Sequence, residues 1–203
     1  ISAPPWPGWT GTWRNELPLA AKAVTCRRHP GSIQYPNNQR KQSMNVSFIS
    51  LGCDKNRVNT EQMMALCLQA GITVQEDCPG SDVVVINTCG FIDSAKSEAI
   101  DTILSAAQLK DAGEIQKILV TGCLSQRYQA DILDELPEID GIMGTGCFGD
   151  IVPALEQVMN GQECRHFADI NGPVEELPRV LSTPRHYAYL RIAEGCSNRC
   201  AYC

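Results

Sequence analysis

From Met44 onward, short apolar, β-branched runs recur between amphipathic helical stretches, and that pattern leaves few folds open. The apolar runs are NVSFISL, ITVQE, SDVVVINT, QKILVTG and IDGIMGTG. The helical ones are RVNTEQMMALCLQAG, DSAKSEAIDTILSAAQLKDAG, SQRYQADILDELP and DIVPALEQVMNG. Runs such as VVVINT are apolar almost throughout, with no alternation, as parallel strands covered on both faces must be. Gly71 and Gly113 read as helix stops, and Asp93 or Ser94 as the cap that opens the longest helix. These features predict an α/β fold, a doubly wound parallel sheet of about five strands over residues 44–160.

The flanks read differently. Residues 1–43 hold all three tryptophans and six of the twelve prolines, without strand or helix periodicity. They are expected to be a disordered leader, or sequence upstream of a natural start at Met44. Residues 161–184, rich in Pro, Gly and acids, read as a linker. RHYAYLRIAEG predicts one more strand. Residues 185–203 would then open a β/α barrel, with a cysteine loop after its first strand and the remainder beyond Cys203.

Composition narrows the class. No apolar run approaches the roughly 20 residues needed to span a bilayer, and no signal peptide opens the chain. No membrane is therefore expected. Eleven cysteines in such a chain point to metal or redox chemistry in a reducing, cytoplasmic compartment; a disulfide framework is the alternative. The net charge of -6 is uneven. Residues 1–43 carry six basic residues and one acid, while the rest carries eleven and twenty-two. An acidic body is a poor non-specific binder of phosphate backbone and suits a basic protein partner better.

The cysteines form two sets. Cys53, Cys89 and Cys123 each follow the end of a predicted parallel strand, where the turns of an open α/β sheet gather at one edge and ligands bind. Gly52, Gly90 and Gly122 beside them leave room for close backbone approach. Cys196, Cys200 and Cys203 stand at CxxxCxxC spacing. Each set is one thiolate short of the four that hold an iron–sulfur cluster through protein alone. Zinc with a fourth ligand from elsewhere is the other metal open to such thiols. Cys67, on a helix, reads as a small core residue. Cys26, Cys78, Cys147 and Cys164 receive no role, and His29, His166 and His186 read as solvated or satisfied.

CxxxCxxC after a first barrel strand, with an aromatic residue before the last cysteine, resembles the radical S-adenosylmethionine enzymes. SLGCDKN, INTCGFI and TGCLSQRY together resemble the methylthiotransferases among them. CGFIDSAKSEAI and LRIAEGCSNRCAYC are similar to the branch that modifies a ribosomal protein. The resemblance covers residues 44–203. RVNTE departs from that branch's usual Val-Asp-Ser-Glu, at a helix start and not at a ligand.

The resemblance implies a methylthiotransferase α/β domain followed by a radical S-adenosylmethionine barrel. Cys53, Cys89 and Cys123 would hold a first 4Fe–4S cluster that carries the sulfur or methylthio group. Cys196, Cys200 and Cys203 would hold a second 4Fe–4S cluster that binds S-adenosyl-L-methionine, with Tyr202 near the adenine. No catalytic residue is implied beyond these ligands. The acceptor would be the β-carbon of an aspartate in small-subunit ribosomal protein twelve, with an electron donor as a further partner. RNA contact would come only through a C-terminal domain beyond Cys203, and residues 1–203 alone should not turn over. Two alternatives stay open: a tRNA adenosine methylthiotransferase of the same family, and a non-catalytic iron–sulfur or zinc-binding module.

Overall fold

The structure, a computed structural model, describes residues 44–170, 172, 176–193, 195, 196 and 198–201. The expectations for residues 1–43, Tyr202 and Cys203 lie outside the described residues.

The chain order is β1 (Asn45–Ser50), α1 (Asp54–Gln69), β2 (Thr73–Gln75), β3 (Val83–Thr88), α2 (Asp93–Asp111), β4 (Lys117–Gly122), α3 (Cys123–Glu135) and β5 (Gly141–Met143). A 3-10 turn (Phe148–Asp150), α4 (Ile151–Met159) and β6 (Cys164–His166) follow. The strands form one sheet in the order β2-β1-β3-β4-β5-β6, and every pairing is parallel. The direction of winding reverses between β1 and β3, as in one of the two common doubly wound orders.

Side chains from alternate strand positions sort to opposite faces. Val84 and Ile86 of β3 and Ile118 and Val120 of β4 pack under α2 and α3, with Ile103, Leu124 and Ile132. Val83 and Val85 of β3 and Leu119 of β4 pack under α1 and α4, with Met63, Ile151 and Leu155. Both faces of the central strands are thus buried apart from Lys117, the reason residues 83–86 and 118–120 are apolar at every step.

The structure departs from the sequence expectations in three places. The sheet has a sixth strand, β6, inside the segment expected to be linker; it pairs Gly141 with Cys164 and extends the sheet by three residues. Residues 185–193 form no strand, because a strand exists through ladder bonds to a neighbour and none of the described residues pairs with them. Asp93 does not cap α2: the N-cap residue is Ile92, and Asp93 sits in the first turn with its carboxylate 2.7 Å from Lys96 Nζ. In addition, α3 is interrupted at Gln129, whose φ of 41° is not helical.

Asp140 ties the edge of the β4–β5 pair to α2. Its carboxylate accepts hydrogen bonds from Lys110 Nζ, Lys117 Nζ (2.8 Å) and the Ile118 amide (2.9 Å). Burial pushes this carboxyl up, but the two lysines and the amide outweigh it and hold it below the ordinary aspartate range. A depressed carboxyl contributes stability that is present above its unfolded value, near ~3.9, and is lost as pH falls through the folded value. Asp140→Asn should therefore lower unfolding free energy at pH 7 by about 1–3 kcal/mol. The gap to the parent should close as urea melts are repeated toward pH 3.

Candidate metal centre

The register of the central strands sets the site. Ser50 pairs with Asn87, and Thr88 pairs with Gly122, so β1, β3 and β4 end at one level. Cys53 follows β1 as the N-cap residue of α1, Cys89 follows β3 directly, and Cys123 opens α3. The three cysteines straddle the reversal of winding between β1 and β3. All three line a single recess of about 870 Å³, with Phe91, Ile92 and Glu98 among its other walls. Cys53 is exposed, Cys123 half-buried and Cys89 almost buried.

Glycine makes this convergence possible. Gly52 has φ +83°, and a Cβ there would lie 2.4 Å from Cys89 Cβ and 3.0 Å from its Sγ. Gly122 has φ +100°, and a Cβ there would lie 2.4 Å from the Thr88 carbonyl oxygen. Both positions combine left-handed backbone with contact that excludes any side chain.

A buried polar network joins the three turns. Asn56 Nδ2 donates to the carbonyls of Leu51 (2.9 Å) and Thr88 (3.1 Å), bridging the ends of β1 and β3. Asn87 Nδ2 donates to the Asn56 carbonyl (2.9 Å) and the Thr60 hydroxyl (3.0 Å). The Thr88 hydroxyl donates to Thr121 O (2.6 Å), tying β3 to β4. Cys123 Sγ lies 4.0 Å from Asn56 Oδ1. The sequence reading found the thiols but not Asn56 or Asn87. The only available signal was an Asn three residues after the first cysteine in CDKN, and that spacing alone does not distinguish a loop clamp from a helix cap.

The donor set, three thiols lining one recess, is one that an iron–sulfur cluster and a zinc ion can both take. None of the nine described cysteines is in a disulfide. Among the described residues, no three of His, Cys, Asp and Glu stand close enough together to hold a single ion. Zinc would require each sulfur about 2.3 Å from one point. An iron–sulfur cluster takes each thiolate on a different iron. The remaining thiols contrast with these. Cys67 is fully buried and pushed by burial up to about 12, and Cys164 is pushed up to about 11. Burial also raises Cys147 and Cys78. Cys67, Cys147 and Cys164 pack within the α1–α4 core as small apolar groups.

The second cysteine set is not assembled in the same way. Cys196 is exposed and Cys200 half-buried; neither lines the recess, and Cys203 and Tyr202 lie outside the described residues. His166 sits in β6, 2.9 Å from Gln157 Oε1, away from the recess. Among the described residues no helix is long and apolar enough to cross a membrane.

Gly71 is an internal control for the steric role of Gly52. Gly71 also has positive φ, +80°, but nothing lies within 4 Å of its would-be Cβ. Gly71→Ala should cost about 1 kcal/mol of backbone strain. Gly52→Ala should cost that plus a further ~1–3 kcal/mol for overpacking against Cys89. Equal losses in denaturant melts would mean that Cys89 yields freely and that the turn is not sterically set.

Comparison with known proteins finds a family match and similar named proteins. Residues 45–144 match the family described as uncharacterized protein family UPF0004. Proteins named ribosomal protein uS12 methylthiotransferase RimO are similar over most of the chain. The one from Caldicellulosiruptor saccharolyticus is 45% identical over 161 residues, covering 78% of this chain and 36% of the relative. That from Clostridioides difficile is 45% identical over 161 residues, 79% of this chain and 36% of the relative. That from Bdellovibrio bacteriovorus is 43% identical over 164 residues, 80% and 36% respectively. The chain thus spans little more than a third of the length of the curated relatives it matches. The chain carries a UPF0004 domain over residues 45–144 and is similar to the proteins named ribosomal protein uS12 methylthiotransferase RimO.

Proposed function

We propose that this chain serves a radical S-adenosylmethionine methylthiotransferase that modifies the β-carbon of an aspartate in ribosomal protein uS12. The observation that carries the reading is the convergence of Cys53, Cys89 and Cys123 on one recess at the reversal of the sheet. The identity to relatives bearing that name supports the substrate class.

Cys53, Cys89 and Cys123 would hold the first 4Fe–4S cluster, and Cys196, Cys200 and Cys203 the second, with Tyr202 beside the bound S-adenosyl-L-methionine. When bound, these groups supply reductive cleavage of S-adenosylmethionine and the sulfur to be transferred, chemistry that belongs to the cofactors. The residues of the chain do the positioning. The ladder between β1, β3 and β4 fixes the spacing of three thiolates without asking any one loop to be rigid alone. Three thiol ligands leave a fourth coordination position free of protein, which a sulfur-carrying role needs. Asn56 pins the turns that carry Cys53 and Cys89, so that ligand positions are set before metal arrives. Phe91 and Ile92 give the recess an exposed apolar lip, suited to excluding water once another surface covers it.

Anaerobic reconstitution tests the metal assignment. The chain should take up about eight irons and eight sulfides, falling to about four of each in Cys89→Ala. Stoichiometric zinc with little iron, or full iron uptake by Cys89→Ala, would remove the two-cluster reading. The substrate assignment is tested on the full natural gene product with S-adenosylmethionine and a reductant. Ribosomal protein uS12 should gain the mass of one methylthio group at an aspartate; modification of tRNA instead would sink the protein-substrate reading.

A further inference from the structure

Glu61 is a fully buried carboxylate in the middle of α1, and the proposed metal site does not use it. Its partners all come from one distant segment. Glu61 Oε2 accepts from Arg179 Nε (2.6 Å), and Arg179 Nη2 makes an ion-pair contact with the same oxygen without hydrogen-bond geometry. Glu61 Oε1 accepts from the Ser182 amide (2.7 Å) and the Ser182 hydroxyl (2.7 Å). Its main-chain carbonyl accepts from the Val180 amide (3.2 Å). One residue of α1 therefore holds three residues of the 179–182 stretch.

The hold extends toward the second cysteine set. Arg179, already paired to Glu61, donates through Nη1 to the Tyr189 carbonyl. The Thr183 hydroxyl donates to the Tyr187 carbonyl (2.7 Å), closing the turn between them. Arg191 Nη1 donates to Asn59 Oδ1 (2.6 Å), which returns the chain to α1 five residues before Cys196. At the other end, α1 begins at Cys53, a ligand of the first set and about 12 Å along the helix from Glu61 at 1.5 Å per residue.

A buried ion pair is poor value as stabilisation, because desolvation cancels most of its attraction and apolar residues of the same volume do as well. Its best-attested use is to specify one arrangement among several of similar packing. We propose that Glu61 is a positioning residue: through Arg179, Ser182 and Val180 it locks the 179–191 segment onto α1 and so fixes the loop of Cys196 and Cys200 relative to Cys53, Cys89 and Cys123. This rests on the two-cluster reading only for its purpose; the lock itself is independent of metal.

Two readouts on the chain test it. In hydrogen exchange on the metal-free chain, Glu61→Gln should lower protection of the Val180 and Ser182 amides about 10- to 100-fold. The Val85 and Leu119 amides of the sheet should change by less than about threefold. Unchanged protection at Ser182, or an equal loss across the sheet, would overturn the proposal. The paired variant Glu61→Met with Arg179→Met removes the charges together; it should keep the sheet folded yet fail to restore protection at Ser182, and full restoration would equally overturn the lock. In the anaerobically loaded chain, Glu61→Gln should keep the full iron content while the magnetic interaction between the two reduced clusters weakens and broadens. An unaltered interaction would refute the positioning role. If the parent chain takes up no iron, the functional reading falls, and exchange at Val180 and Ser182 decides the lock by itself.

Discussion

The parallel ladder joining β1, β3 and β4 is the constraint on which the site depends. Register between adjacent strands is held by evenly spaced backbone hydrogen bonds and by burial of both faces. A slip of one residue would exchange Val84 and Ile86 with Val83 and Val85 and carry each cysteine turn out of level. With the register as it is, Thr88 stands opposite Gly122 and Ser50 opposite Asn87, and the three thiols open onto one recess. Placement of the three thiols is thus a by-product of core packing, and few other side chains are needed for it.

The side chains that are spent there are polar and buried. Asn56, Asn87, Thr60 and Thr88 are nearly inaccessible, and each makes hydrogen bonds between elements that the sheet alone would leave loosely joined at their ends. Burying such groups costs free energy unless they are paired, so a network with its bonds made holds the turns in one arrangement. Asn87 Oδ1 is the exception, buried without a hydrogen-bond partner among the described residues and close to the space that a side chain at Gly122 would need. The contrast with Cys67 and Cys164 is one of surroundings. Burial in an apolar core pushes their thiols up, and they pack as small apolar groups, whereas the strand-end thiols line a recess.

The helix that begins at Cys53 is buried on almost every side although half its residues are polar. The sheet covers one side and the 179–191 segment another, and Glu61 and Asn59 are the polar groups that meet that segment. The two positions at which RVNTE departs from the ribosomal-protein branch, Asn59 and Thr60, fall on this well-contacted helix, and each has a hydrogen-bond partner far along the chain. Both lie in the interior of α1 and not at the helix start that the sequence suggests, so a change there is a change at a docking face.

Sequence by itself determined the local terms between residues 44 and 143: which runs there are strands, that the central ones lie parallel and buried, where the helices stop, and that Cys53, Cys89 and Cys123 follow strand ends. Those terms depend on periodicity, side-chain branching and glycine, all properties of neighbouring residues. Tertiary structure alone decided the terms between residues far apart in the chain. β6 is too short and too polar to announce itself, and it exists because the edge of β5 offers it a ladder. Residues 185–193 have strand composition yet form no strand, because none of the described residues offers them an edge. Asn56 and Glu61 look like ordinary helix residues in the sequence; their roles come from partners 32 and 118 residues away that only the folded chain brings within hydrogen-bond distance.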